Sequence, residues 1–365
     1  MIHINHQSWP AIIRLLIRIQ TKVWALICVL VTRLLHPLDS LATNLLLRYR
    51  TDLQLECEDR IITQFDSIHL SSKKLLVIIP FRDNWNYTNQ CLKGLNQQGY
   101  NGLEVIVVLA DNGSVEDETR SGISDLQSRI DLKYKISYVR YDIPFNFSTL
   151  NNMAVNDHAD VQADYLLLLN NDVEFLEPNS LAKMVSFISN NPDCGALGCT
   201  LLYPDRKIQH LFISVGVKIV GAHPFKGKEY NPDEVWYSQP RVVGATTGAA
   251  LLTSLQDYKN LNGLDEKLGS ASQDVDYCLK LQDMGKYVAV LPQVNLIHHE
   301  TISRAPKHDW QEISYMYEKW GSKLTKNNYF SSRFTRWSEQ LALTLGEGNF
   351  PWQKLVIQKY PKKIE

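Results

Sequence analysis

The sequence predicts an α/β fold: an open, mostly parallel sheet with helices on both faces. Three observations predict it. Apolar runs at 75–79, 103–110, 136–141 and 165–169 are bounded by polar residues, as strands buried on both faces are. Helical segments separate them, so parallel pairing with right-handed crossovers follows as the default. Each run also ends in a polar cluster, where side chains line the crevice at the carboxyl edge of such a sheet.

The first strand, 75–79, stops at Pro80. Asp83 or Asn84 then caps a helix with apolar positions Tyr87, Cys91, Leu92 and Leu95, and Gly99 ends it. The second strand runs into Asp111-Asn112-Gly113-Ser114. A third strand over 136–141 precedes Phe145-Asn146-Phe147-Ser148, and a helix over 150–158 leads to the strand 165–169. That strand stops in Asn170-Asn171-Asp172-Val173-Glu174. A helix over 178–189 follows, then short apolar runs broken by Gly and Pro over 195–255, which read as β-rich. A second clear helix spans 270–284, with Ser270 and Gln273 as a capping box and Gly285 as its stop. A short strand over 288–291 precedes His298-His299-Glu300.

Three parts are expected: an N-terminal amphipathic segment and connector (1–70), the α/β domain (71–305) and a helical extension (306–365). The 365 residues suffice for a large core, and a formal net charge of −1 gives no basic field for nucleic acid. Residues 11–35 are strongly apolar, yet Arg14, Arg18 and Lys22 form a basic stripe on a helix. The longest uncharged stretch there has ten residues, too few for a membrane span. With Trp24 the segment reads as a helix lying in a membrane interface, in preference to one packed on the protein's own surface. Cysteines 28, 57, 91, 194, 199 and 278 have no C-x-x-C spacing, so they read as reduced, buried thiols of a cytosolic protein.

The chemistry gathers at the strand ends. Asp111 offers acceptors to a base imide, although Asn-Gly alone also explains the turn. Neither a dinucleotide fingerprint nor a P-loop is present, so bound phosphates need a cation and basic side chains. Asp172 is placed to hold a hard cation, and an imidazole after the last strand can complete its shell. Asp274 and Asp276 lie two apart on a helix and cannot share a face. Asp276 pairs with Lys280 and reads as structural, which leaves Asp274 for the cleft.

In order, Ile-Ile-Pro80, Asp111-Asn-Gly-Ser, Phe145-Asn-Phe-Ser, Leu-Asn-Asn-Asp172, Thr247-Gly-Ala, Gly263-Leu-Asp-Glu266, Gln273-Asp-Val-Asp276 and His298-His-Glu-Thr-x-Ser303-Arg304 resemble glycosyltransferase family 2. More narrowly, they resemble bacterial cell-envelope polysaccharide transferases of the rhamnosyltransferase-like kind. The resemblance covers roughly 73–305. It implies the Rossmann-like GT-A fold and inverting transfer of a sugar from a nucleotide donor, a UDP- or dTDP-sugar, to a glycan or lipid-linked acceptor. Pro80, Arg82 and Asp111 match nucleoside-binding positions, and Asn112, Asn146 and Asn171 are expected to join them around the donor. Asn170 and Asp172 match the ends of a D-x-D motif whose first Asp is Asn here. The implied cofactor is Mg²⁺ or Mn²⁺, held by Asp172 and His298, with His298 preferred to His299. Asp274 matches the catalytic base, and Gln273 replaces its usual acidic neighbour. Thr247, Gly248 and Ala249 line the acceptor and sugar pocket, and Arg304 closes over the diphosphate. The implied location is the cytoplasmic face of the inner membrane. A sugar-phosphate nucleotidyltransferase and a non-catalytic glycan binder are the alternatives. The first wants a Gly-rich loop after the first strand, which Pro80-Phe-Arg-Asp-Asn-Trp85 lacks.

Overall fold

The computed structural model describes residues 19, 23, 70, 72–217, 220–232, 239–300 and 310–325. Of the expected amphipathic segment it describes only Ile19 and Val23, both helical and exposed. The basic stripe, the connector and Arg304 lie outside the described residues. Among the described residues no helix is long and apolar enough to cross a membrane.

The described residues fall into two units. The larger holds a ten-stranded sheet. Its first strands are β1 (Lys74–Phe81), β2 (Glu104–Asp111), β3 (Lys135–Arg140) and β4 (Tyr165–Leu169), hydrogen-bonded in the order β4-β1-β2-β3 and all parallel. Parallel pairing requires crossovers, supplied by α1 (Trp85–Gln97), α2 (Asp117–Gln127) and α3 (Phe147–Asp157). The chain runs outward from β1 through β2 to β3, then returns to β1's other side at β4. Strand order therefore reverses between β1 and β4, and the crevice of such a sheet opens at that point.

Beyond β4 the sheet becomes mixed. β11 (Ala250–Ser254) pairs antiparallel with both β4 and β6 (Cys194–Leu202). β6 pairs parallel with β12 (Tyr287–His298), and β10 (Arg241–Val243) lies antiparallel outside it. Two short strands, β5 (Val173–Phe175) and β7 (Ile208–His210), join β12 and β6 at the carboxyl edge. The remaining helices of this unit are α4 (Ser180–Asn190), α5 (Leu255–Asn260) and α6 (Gln273–Asp283). The other unit holds the hairpin β8 (Ser214–Val215) and β9 (Gly221–Ala222), with α7 (Trp310–Trp320) and α8 (Ser322–Thr325).

The apolar runs become the core for a simple reason. Alternate residues of β1 (Leu75, Val77, Ile79) and β2 (Val105, Val107, Leu109) pack in one cluster with α1, α2 and α4. Leu76 and Ile78 point to the opposite face, where α3 packs on β1 and β2. Both faces are thus covered, and each run can be continuously apolar. β3 is the edge strand and is only half buried, so its sequence is more polar. The thiols of Cys91, Cys194, Cys199 and Cys278 are free and buried; desolvation pushes Cys194 and Cys199 up to about 12.

Several local expectations are corrected. α1 has Asn84 at its cap in a left-handed conformation, without a side-chain cap bond. Asp83 instead reaches across the edge and accepts the N–H groups of Val115 (2.7 Å) and Glu116 (2.9 Å), serving the start of α2. Gly99 does not adopt the left-handed stop; α1 ends at an extended Gln98. α2 itself was not placed by the sequence, because Ile123 and Leu126 are its only large buried apolar residues. The capping box at Ser270 does not form. Ser272 turns left-handed (φ 64°) and starts α6 at Gln273, two residues later than a Ser270 cap allows. Gly285 (φ 80°) does end it. β12 continues well past residue 291 because a register shift between Leu291 and Asn295 absorbs Pro292 and pairing with β6 resumes.

Candidate active site

The register brings six chemical segments to one edge. β1, β2, β3 and β4 end there, β11 begins there after Thr247-Gly248-Ala249, and β12 ends there at His298. Three clusters stand along it.

The first cluster surrounds Asp111, which is fully buried. Its Oδ1 accepts the Ser114 N–H (2.8 Å) and hydroxyl (2.6 Å). Its Oδ2 accepts the Tyr138 hydroxyl (2.8 Å) and the Arg140 guanidinium (3.3 Å). A carboxylate has about four lone-pair sites, and all four are in use. In this arrangement the carboxylate organises the turn. Gly113 is left-handed (φ 72°), and a Cβ there would lie 2.9 Å from Asp142 Oδ1, so no other residue fits easily. Asn112 donates to the Tyr141 (3.2 Å) and Ile143 (2.8 Å) carbonyls and holds the loop after β3. Asn146 likewise spends its amide on structure: Oδ1 caps α3 at Thr149 N–H (2.9 Å), and Nδ2 donates to the Glu266 carbonyl (2.8 Å). Pro80 is buried within β1, whereas the Arg82 side chain is 57% exposed and only 3.9 Å from Asp83.

The second cluster lies where β4, β5 and β12 meet. β12 pairs His298 with Val173, which brings the imidazole back to the end of β4. His298 Nε2 is 3.2 Å from Asp172 Oδ1 and 3.2 Å from Asn170 Nδ2. Its Nδ1 is 2.6 Å from Gln209 Oε1. His299 turns elsewhere, bonding Glu174 and lying 5.2 Å from the Tyr87 ring. Glu174 also accepts from Gln90. Asn171 leaves the cluster and donates to Thr88 on α1 (3.0 Å). Asp172, in the turn between β4 and β5, and His298, at the end of β12, together offer one carboxylate and one ring nitrogen. Imidazole and carboxylate oxygen suit Mn²⁺ and Mg²⁺, and a ring whose other nitrogen is held by an amide is the usual support for a metal-bound His. The donor set fits a divalent cation. Among the described residues no group of three His, Cys, Asp or Glu converges as a complete shell, so a cation here draws further ligands from outside these side chains.

The third cluster is Asp274. Its Oδ2 accepts the Gly248 N–H (3.1 Å) and its Oδ1 that of Val275 (2.8 Å). Burial raises its pKa above the ordinary value, opposed by these N–H groups and by the Thr247 hydroxyl. A Cβ at Gly248 would lie 3.5 Å from Phe147 and 3.7 Å from Asp274, so that strip separates α3 from α6. The next residue, Ala249, accepts the Asn170 N–H (2.9 Å) through its carbonyl and joins the third cluster to the second. Asp276 is fully buried, 3.3 Å from Lys280. The two acids do face different ways, as residues two apart on a helix must.

A cleft of about 650 Å³ lies at the opposite, amino edge, lined by Asp164, Tyr165, Cys194, Ser254 and Lys286 among others. It holds no pairing of base and cation ligands, so concavity and chemistry disagree here, and the converging side chains decide the site.

The sequence missed three contributors: Gln209, Tyr138 and Arg140. Tyr138 and Arg140 alternate with Val139 on an edge strand, and that alternation was the available signal for a shared face.

Comparison with known proteins agrees with this architecture. Residues 76–209 match Glycosyl transferase family 2. An uncharacterized protein, y4gI, of Sinorhizobium fredii is 31% identical over 258 residues, covering 67% of this chain and 27% of that protein. The O-antigen biosynthesis protein RfbC of Myxococcus xanthus is 29% identical over 255 residues, covering 68% of this chain and 19% of that protein. The chain thus spans about a quarter or less of the length of these relatives. Among solved structures, GalNAc-T7 with UDP, GalNAc and Mn²⁺ superposes with a TM-score of 0.55 at 11% identity, over 72% of this chain and 50% of that one.

Proposed function

We propose that this chain, which carries a family 2 glycosyltransferase domain on a GT-A fold, moves a sugar from a nucleotide-sugar donor to a glycan or lipid-linked acceptor with inversion. The observation that carries the reading is the placement of Asp274 and the Asp172–His298 pair on one sheet edge, either side of Thr247-Gly248-Ala249. Inverting transfer needs two separated tasks, a base for the incoming hydroxyl and charge stabilisation for the outgoing diphosphate.

Asp274 takes the acceptor proton as the hydroxyl oxygen attacks the anomeric carbon. The carbon–oxygen bond to the diphosphate breaks on the opposite face, and the electron pair leaves with the diphosphate. A single displacement inverts the centre. Asp172 and His298 would hold Mg²⁺ or Mn²⁺, with Asn170 as a neutral neighbour, and the cation would supply positive charge to offset the negative charge developing on the diphosphate. Arg82, exposed just after β1 and 3.9 Å from Asp83, is assigned to the donor. Asp111, Asn112 and Asn146 shape the donor pocket through the loops they hold. Thr247, Gly248 and Ala249 form the wall between sugar and acceptor, and Arg304, outside the described residues, is assigned to the diphosphate.

The O-antigen relative supports an envelope polysaccharide as the product, and the basic N-terminal stripe supports work at a membrane surface on the cytoplasmic side. A panel of UDP- and dTDP-sugars, assayed for nucleoside diphosphate release with and without chelator, tests the reading. Release from one or a few donors, lost in chelator and restored by Mn²⁺ or Mg²⁺, is expected. Undiminished release in excess chelator removes the cation from the mechanism, and no release from any donor removes the transferase.

A further inference from the structure

We propose that Gln209 is a positioning residue that fixes the tautomer and ring orientation of His298, and thereby sets how tightly the Asp172–His298 pair holds a divalent cation. The inference rests on the cation reading of that pair and extends it to a residue outside the predicted site.

Gln209 sits in the middle of β7, a three-residue strand on the far side of β6, with its carboxamide directed at the end of β12. It makes three contacts there. Oε1 lies 2.6 Å from His298 Nδ1, while Nε2 donates to the His298 carbonyl (3.2 Å) and to Glu300 Oε2 (3.3 Å). Those last two partners are acceptors only, so the amide cannot be flipped without turning its oxygen onto two others. With the amide orientation settled, Nδ1 must carry a proton, because a bare Nδ1 would meet Oε1 lone pair to lone pair at 2.6 Å.

In the neutral ring the proton at Nδ1 leaves Nε2 as a lone pair. That nitrogen faces Asp172 Oδ1 at 3.2 Å and receives the Asn170 amide at 3.2 Å. Asp172 Oδ1, in the turn between β4 and β5, and the Nε2 lone pair, at the end of β12, then face each other as two donor atoms that a divalent cation could share. Gln209 also holds the backbone of the same residue, so ring and main chain are fixed by one side chain, itself 6% exposed. Support of this kind is worth about tenfold to a hundredfold in metal affinity.

The test uses the full chain. Long-range ¹H–¹⁵N spectra of the metal-free, histidine-labelled protein identify the His298 tautomer, with His298→Ala assigning the signal. Mn²⁺ binding, without donor, is measured by electron paramagnetic resonance. The wild type is expected as the Nδ1–H tautomer. Gln209→Met, nearly isosteric but without the acceptor, is expected to lose that tautomer preference and to bind Mn²⁺ about tenfold to a hundredfold more weakly. Gln209→Glu, which keeps an acceptor, is expected to retain the tautomer. A wild-type ring protonated at Nε2, alone or together with Nδ1, overturns the proposal; so does a folded Gln209→Met that binds Mn²⁺ within twofold of wild type. If Gln209→Met fails to fold, the wild-type and Gln209→Glu spectra still decide it. A wild type with the expected tautomer that binds no Mn²⁺ overturns the cation reading beneath it instead.

Discussion

Burial gives Asp274 a cost in stability, and Asp274→Asn exposes that cost. Burial raises the carboxyl's pKa above its ordinary 3.8, because the Gly248 and Val275 N–H groups and the Thr247 hydroxyl only partly offset desolvation. The unfolded chain keeps the ordinary value. From 3.8 up to the folded pKa the native state therefore binds more protons than the unfolded state. Stability contributed by the protonated group is fully present below 3.8 and is lost as pH rises through the folded pKa. The loss proceeds at no more than about 1.4 kcal/mol per pH unit. Asparagine is neutral throughout and escapes it. The variant also disturbs one of two N–H bonds, a nearly pH-independent offset of about 1 kcal/mol. The diagnostic is thus the trend of the difference, not its absolute value. Urea or thermal unfolding of both proteins at about pH 4, 5, 6, 7 and 8 reads it directly, each kcal/mol shifting Tm by about 2–4 °C in a domain of this size. The variant should gain on the wild type as pH rises and then level off. A difference that stays flat, or one that favours the wild type with rising pH, refutes the assignment of a desolvated carboxylate.

Two further predictions concern the scaffold of the edge. Tyr138→Phe removes a 2.8 Å donor from the fully buried Asp111 carboxylate and should cost about 1.5–3 kcal/mol in denaturant unfolding. Donor affinity should fall with it, since the 111–114 turn loses a tether; a neutral substitution would show that Asp111 is held without Tyr138. Leu167→Ala, in the middle of β4 and 1% exposed, should cost about 2–5 kcal/mol by the same measurement. A cost near zero would mean that the strand behind the site is not the packed core its burial indicates.

The parts of this fold that were legible in the sequence share a physical cause. Tyr165–Leu169 was readable to the residue because a strand buried on both faces must be apolar throughout and must stop where its neighbours stop. Asp274 and Asp276 separated correctly because helix geometry alone forbids them a common face. What was not legible depends on residues far apart in the chain. The contacts of Asp111 with Tyr138 and Arg140 span 27 and 29 residues, and no local pattern announces them. Gln209 acts on a histidine 89 residues distant from a three-residue strand in a Gly- and Pro-broken region, where no period is long enough to register. The Ser270 box failed differently. Its local pattern was sound, but Ser272, left-handed, takes the cap position and starts the helix at Gln273.

The assignment of Asp274 as the base of a sugar transfer at this edge is tested by pairing donor binding with transfer in one variant. With the donor identified by the panel, Asp274→Asn should bind that donor with nearly wild-type affinity by calorimetry, while transfer to acceptor falls by about 10²–10⁴-fold. Wild-type transfer rates in Asp274→Asn would contradict the claim outright.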